Sequence, residues 1–259
     1  MALLETKKLS KHFGGLKAVN KIDIKINKNE IVGLIGPNGA GKTTLFNLIT
    51  GALQPTEGNI IYEGKKITKL KPHVVAEVGI VRTWQLTRLF YEYSMLKNVL
   101  MSQNIHNNIS LFQSFIKTPI SERKERELAR EAEEILDFLG LYEKKDELAK
   151  NIPHGHQRTL GVAMALATKP KLLLLDEPVG GMNPEESNLL MEQVREIAKE
   201  KGITIFIIEH DMKVIMQFCN RIIALNYGEK IAEGQPQEIK ENKEVIQAYL
   251  GAPDGIIGS

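Results

Sequence analysis

The chain has 259 residues, 42% hydrophobic and 25% charged, long enough to bury a substantial core as one large domain or two small ones. Its 34 Lys and Arg against 32 Asp and Glu leave a formal charge of +2, which excludes a global field that gathers nucleic acid or anionic lipid; such a partner would need a local patch. The single cysteine, Cys219, excludes an internal disulfide, fits a reducing cytoplasm and, within the apolar run MKVIMQFC, reads as core.

The opening MALLETKKLSKHF lacks an apolar segment behind a basic one and does not read as a secretory signal. Up to residue 35, apolar and polar positions alternate in short pieces, LLETKKL and KIDIKI, which predicts strands joined by tight turns. EIVGLIG then reads as a buried strand and GKTTLFNLITG as a helix closed at Gly51. After about residue 93 the pattern turns helical. SERKERELAREAEEILDFLGL puts Leu128, Ala132, Ile135, Leu136 and Leu139 on one stripe, with Ser121 as N-cap and Gly140 as stop. The mixed signs of ERKERE favour a solvated helix face over a basic binding surface. From residue 157 onward KLLLLD, ITIFIIE and RIIALNYG alternate with helical segments at 156–169, 184–201 and 211–219, which argues for βαβ units and a mostly parallel sheet. No run approaches the roughly 18 uncharged apolar residues of a membrane span, and the tail APDGIIGS reads as loose. No internal repeat, low-complexity segment or linker interrupts the chain.

Two motifs carry chemistry. GPNGAGKTT at 36–44 matches G-x-x-x-x-G-K-[ST] between a predicted strand and a predicted helix. Gly36, Pro37, Asn38, Gly39, Ala40 and Gly41 form a loop whose backbone N–H groups converge on phosphate oxygens, and Thr44 belongs to the helix start whose dipole adds to them. Lys42 would reach the β and γ phosphates, and the Thr43 hydroxyl would ligate Mg²⁺. LLLLDEP at 172–178 is a hydrophobic strand ending in acids. Asp176 is placed to hold the metal, and Glu177 to polarise an attacking water as general base. His12, His73, His106, His154 and His156 show no metal-ligand spacing with cysteine or with one another, so no zinc site is expected.

With these residues in place the sequence resembles the nucleotide-binding subunit of ABC transporters over nearly its whole length. RTWQLTRLF stands where the family has its glutamine loop, at Gln85; GGMNP stands in place of its D-loop; IIEHDM matches its switch histidine at His210. The resemblance implies a single ABC ATPase domain over 1–259: an α/β, P-loop ABC ATPase cassette with a mixed, mostly parallel sheet core. An N-terminal antiparallel β subdomain and an α-helical subdomain inserted into the RecA-like core at about 86–150 complete it. It implies ATP and Mg²⁺ as ligands, with Gln85 sensing the metal and γ phosphate, His210 holding the γ phosphate and the attacking water, and Phe13 stacking on adenine. It implies as partners a second ABC cassette, two membrane permease subunits and, indirectly, a substrate-binding protein, at the cytoplasmic face of the membrane and without nucleic acid. Leu89, Phe90 and Tyr91 then read either as anchors for a permease helix or as internal packing.

Finer marks, FGGLKAVN, GIVRTWQLTRLF, GMNP and EVIQAYLG, resemble one of the two cassettes of branched-chain amino acid importers. Urea or amide uptake, lipid export and a soluble, non-transport ABC ATPase are the alternatives. The family's L-S-G-G-Q turn, which contacts the nucleotide of the opposite subunit, aligns here with Ile152, Pro153, His154, Gly155 and His156, followed by Gln157. Pro153 removes a hydroxyl and a backbone N–H, His154 brings an imidazole that donates, and Gly155 keeps a close backbone approach. Asn183 replaces the D-loop aspartate. Together these departures imply pairing with a different cassette rather than with a second copy.

Overall fold

The computed structural model describes residues 2–83, 89–103 and 119–250. The alternating opening segment forms two long strands, β1 (Ala2–Phe13) and β2 (Leu16–Asn27), closed as a hairpin over Gly14 and Gly15 with Phe13 opposite Leu16. The sequence suggests shorter pieces. The strands continue because the pairing slips between Thr6 and Leu9, where Lys8 adopts φ 47°, so a bulge absorbs the break in alternation. With β4 (Glu57–Tyr62) and β5 (Lys65–Lys66) they make an antiparallel sheet in the order β2-β1-β4-β5.

The second sheet runs β10-β9-β3-β8-β7-β6, from β3 (Ile31–Ile35), β6 (Ile80–Arg82), β7 (Leu172–Asp176), β8 (Thr204–Ile208), β9 (Arg221–Asn226) and β10 (Glu229–Gly234). All neighbours are parallel except β9 and β10. Every residue of β3, β7 and β8 is buried, as expected for a parallel sheet covered on both faces. Alternate residues serve opposite layers. Val32, Leu34, Leu174, Phe206 and Ile208 pack toward α1 (Lys42–Ile49) and the antiparallel sheet, with the rings of Phe46 and Phe206 5.0 Å apart. Ile35, Leu173, Leu175, Ile205 and Ile207 pack on the helical layer, where Cys219 lies buried over Gly33.

Six-residue α2 (Pro72–Glu77) precedes β6. The helical stripe is realised in α4 (Pro119–Phe138), which packs with α3 (Met95–Ser102) and α5 (His154–Ala167) through Val99, Ala132, Leu136, Leu160 and Ala163. Ser121 falls inside α4 rather than at its cap, and Gly140 at φ 69° ends it, with Leu141 N–H donating to Leu136 O at 2.7 Å. The helices α6 (Pro184–Lys201) and α7 (Met212–Phe218) follow β7 and β8 closely as the alternation predicts, while α5 begins two residues earlier than its apolar pattern suggests. Short helices α8 (Pro236–Glu241) and α9 (Lys243–Leu250) finish the described chain. Among the described residues no helix is long and apolar enough to cross a membrane.

A Cβ at Gly58, φ 87° in β4, would sit 2.3 Å from the Lys8 carbonyl at the bulge. Gly58→Ala is therefore expected to cost about 1–3 kcal/mol, read as a lower urea midpoint with an unchanged slope.

Candidate functional site

The C-terminal ends of β3, β8 and β7 lie side by side, because Leu34 pairs with Ile208 and Ile208 with Asp176. In an open α/β sheet that edge is where ligands bind. Here it opens on a cleft of about 490 Å³ lined by Phe13, the loop from Asn38 to Thr44, Glu177 and His210. A larger opening of about 610 Å³ lies elsewhere, between α4 and α6, and contains no phosphate loop.

The loop is held by close backbone contacts. A Cβ on Gly36 would sit 2.2 Å from the Leu225 carbonyl, and one on Gly41, φ 100°, 2.3 Å from the Ala18 carbonyl. Only glycine fits either position. The Lys42 ammonium donates to Gly36 O at 2.6 Å and Pro37 O at 3.1 Å, so Gly36 and Pro37 hold the lysine from beside the cleft rather than line it. Burial lowers the Lys42 pKa, and the carboxylates of Glu177 and Asp176 oppose that shift. Because α1 starts at Lys42, its first N–H groups lack partners within the helix and are suited to hold an anion in the cleft. Phe13 stands half exposed at the rim with the Lys11 ammonium 5.2 Å from its ring.

Asp176 ends β7 almost fully buried, and Glu177 follows at φ 50° with its N–H still donating to Ile208 O at 2.9 Å. That turn of the backbone separates the two acids, as their adjacency suggests. Glu177 Oε1 lies 2.8 Å from His210 Nε2, a ring N–H donating to the carboxylate. Asp176 Oδ2 instead accepts from Arg82 Nη2 at 2.5 Å. The buried guanidinium also donates to Asn47 of α1 at 2.6 Å and lies over the Phe46 ring. Arg82 opens the RTWQLTRLF stretch, but the sequence motifs give it no role in the site; its partners are fixed by its place at the end of β6.

Two more such residues follow. Glu209, 4% exposed, accepts from Val179 N–H at 3.0 Å and His210 N–H at 3.1 Å, joining the loop after Glu177 to the one carrying His210. Tyr249 of α9, in the EVIQAYLG ending, accepts from Gly36 N–H at 2.8 Å at the mouth of the phosphate loop. Its Oη reaches across from the last helix, and the sequence gives no signal beyond the motif itself.

Of the remaining expected site residues, Gln85 lies outside the described residues. The turn 153–157 does not line the Lys42 cleft. Pro153 caps α5 and His154 is its first residue; Gln157 anchors the turn by donating from Nε2 to Ile152 O at 3.1 Å and Ala149 O at 3.3 Å. Burial and the nearby Lys144 lower the His156 pKa. His154 packs beside Gly181, and Gly155 beside Glu186. Asn183 has a local role: its Oδ1 accepts from Glu186 N–H at 2.9 Å while Glu186 accepts back from Asn183 N–H, a capping box that opens α6. Leu89 is buried, which settles it as packing, whereas Phe90 and Tyr91 are exposed beside a turn pinned by the buried amide of Asn98.

Residues 19–180 match the family model described as ABC transporter, and residues 229–255 match that of the branched-chain amino acid ATP-binding cassette transporter. The chain is 41% identical over 249 residues to the high-affinity branched-chain amino acid transport ATP-binding protein BraF of Pseudomonas aeruginosa, covering 96% of this chain and 98% of that one. Identity to the LivG protein of Salmonella typhimurium, whose name carries the same description, is 42% over the same coverage. The crystal structure of an ATP-binding cassette of an ABC transporter in its ADP conformation superposes with a TM-score of 0.84 at 32% identity, covering 97% of this chain and 99% of that one.

Burial, reinforced by Glu177, raises the Glu209 pKa to about 7 against three backbone N–H groups that lower it. A raised carboxyl pKa stabilises the fold below the unfolded value of 4.5, and that contribution fades as pH rises through about 7. Glu209→Gln should flatten the pH dependence of unfolding between these values, by up to about 3 kcal/mol at about 1.4 kcal/mol per pKa unit. Urea titrations at pH 4.5 and 7.5 measure it, and an unchanged slope would contradict the assignment.

Proposed function

The chain belongs to the ABC transporter family of ATP-binding cassettes, and from that premise we propose that it is the ATP-hydrolysing subunit of an importer of branched-chain amino acids. The observation that carries the hydrolytic part is the 2.8 Å contact of Glu177 with His210 on the wall of the cleft that holds Lys42. The amino acid specificity is supported by the match of residues 229–255 and by the relatives named above.

In this scheme the loop N–H groups and Lys42 take the β and γ phosphates, exchanging the lysine's present carbonyl partners for phosphate oxygens. Glu177, held by His210, orients a water toward the γ phosphorus and accepts its proton as the new P–O bond forms and the bond to the β-phosphate oxygen breaks. The exposed Thr43 hydroxyl and the Asp176 carboxylate are hard oxygen donors of the kind Mg²⁺ takes, and Arg82 fixes the latter at the strand end. The ion would neutralise charge between the phosphates. Gln85 is assigned with Thr43 and Asp176 to that position.

His154 lies beside Gly181, and Gly155 beside Glu186, the capping partner of Asn183, so the turn Pro153–Gln157 and the start of α6 form one unit to present to a neighbouring cassette. At the N-terminus of α5, Pro153 offers no N–H to a partner's phosphate and leaves the His154 ring and later N–H groups to do so. Losing one or two charge-assisted bonds of roughly 1.5–3 kcal/mol each weakens closure, twice over in a homodimer and once in a pair with an intact partner turn. We therefore assign as partners a different cassette and two permeases at the cytoplasmic membrane face, with a substrate-binding protein acting through them. Residues 86–150 would be the helical subdomain, and Phe90 and Tyr91 the contact to a permease.

Glu177→Gln is expected to bind ATP as the parent does while hydrolysis falls about 10²–10⁴-fold; unchanged turnover in a phosphate-release assay would refute the role of Glu177. Lys42→Ala should instead lose nucleotide affinity. For the partner assignment, the purified chain alone should turn ATP over slowly and without cooperativity, and full cooperative ATPase of a homodimer would overturn it.

A further inference from the structure

β9 and β10 are joined by a hairpin of only two residues, Tyr227 and Gly228, between the paired Asn226 and Glu229. Both central residues have positive φ, 45° for Tyr227 and 80° for Gly228. This is the geometry of a type I′ turn, which favours Asn-Gly because asparagine and glycine tolerate the left-handed region. A bulky tyrosine there is strained. Its ring returns nothing to the fold, since Tyr227 is 85% exposed, the largest value among the exposed large hydrophobic residues described.

The turn is nevertheless firmly placed. Gly228 N–H donates to Ala40 O within the phosphate loop at 3.1 Å, and Gly228 O accepts from Asn20 N–H of β2 at 2.8 Å. A Cβ on Gly228 would lie 2.6 Å from the Lys17 carbonyl, so the turn is wedged between β2 and the loop. It delivers Tyr227 to the same cleft that Phe13, Lys42 and His210 line. Strain that the fold maintains without a packing gain is typical of a residue held for a ligand.

We propose that Tyr227 is a second aromatic contact for the nucleotide base, which it meets at the solvent edge of the cleft together with Phe13. The inference rests on the ATP reading of this cleft. The phosphates occupy the loop, so the base must project toward the rim, where Phe13 and Tyr227 offer the aromatic faces. A phenol adds stacking area at low rotamer cost, and a two-residue hairpin hinged on the phosphate loop lets its position follow loop occupancy.

The test is calorimetric binding of ATP and of tripolyphosphate, which has the phosphates without the base, to the parent chain, Tyr227→Phe and Tyr227→Asn. Asparagine suits the turn, so that variant is expected to fold and to melt about 2–4 °C higher. Tyr227→Asn should bind ATP about 5- to 20-fold more weakly while tripolyphosphate affinity is unchanged, and Tyr227→Phe should match the parent for both. Unaltered ATP affinity in Tyr227→Asn, or an equal loss for tripolyphosphate, would overturn the proposal. A parent chain that binds neither compound would overturn the ATP reading itself.

Discussion

The parallel pairing of β3, β8 and β7 is the constraint on which the site depends. It puts Gly36, Glu209 and Glu177, each just past its strand, on one edge of the sheet, although they come from distant parts of the chain. Because side chains alternate across a strand, a slip of one residue would exchange the two hydrophobic layers and turn Asp176 from the α1 side to the helical side. Burial of every residue in these strands makes such a slip prohibitively costly, so the chemistry inherits its register from the core.

Directly behind the cleft the structure buries polar groups, and each joins segments that carry residues of the proposed reaction. Arg82 and Asp176 form an almost fully buried ion pair that reaches α1 through Asn47. Such a pair adds little net stability compared with apolar packing, but loss of one partner strands a charge and costs about 3–5 kcal/mol. Its value here is orientation: it locks the strand end that carries the acids to the helix that carries the phosphate loop. Glu209 does the same between the Glu177 and His210 loops, and Tyr249 between the last helix and Gly36. A change at the phosphates therefore has rigid connections to three other segments.

The contiguous motifs were readable in the sequence because their chemistry is local. A glycine loop before Lys42, a hydrophobic run ending in Asp176 and Glu177, and a strand ending before His210 all announce themselves through neighbours. Arg82, Glu209 and Tyr249 did not, since Arg82 acts on a partner 94 residues away and Tyr249 on one 213 residues away. Asn183 was readable as a change of charge but not as the cap of α6, which depends on Glu186 folding back upon it. The long β1 and β2 escaped the alternation pattern for a similar reason, because cross-strand pairing carries them past a bulge that breaks the local period.

The sequence by itself determined the class of fold, the phosphate loop, the paired acids that end the LLLLDEP run and the resemblance to an ABC cassette, since each is written in adjacent residues whose backbone needs are met locally. Only the tertiary structure decided which side chains surround those motifs: that Glu177 meets His210, that Arg82 holds Asp176, that Leu89 is core while Phe90 and Tyr91 are surface, and that a strained Tyr227 stands at the cleft. The physical reason is that those facts arise from sheet register and layer packing, which bring together groups no local pattern relates.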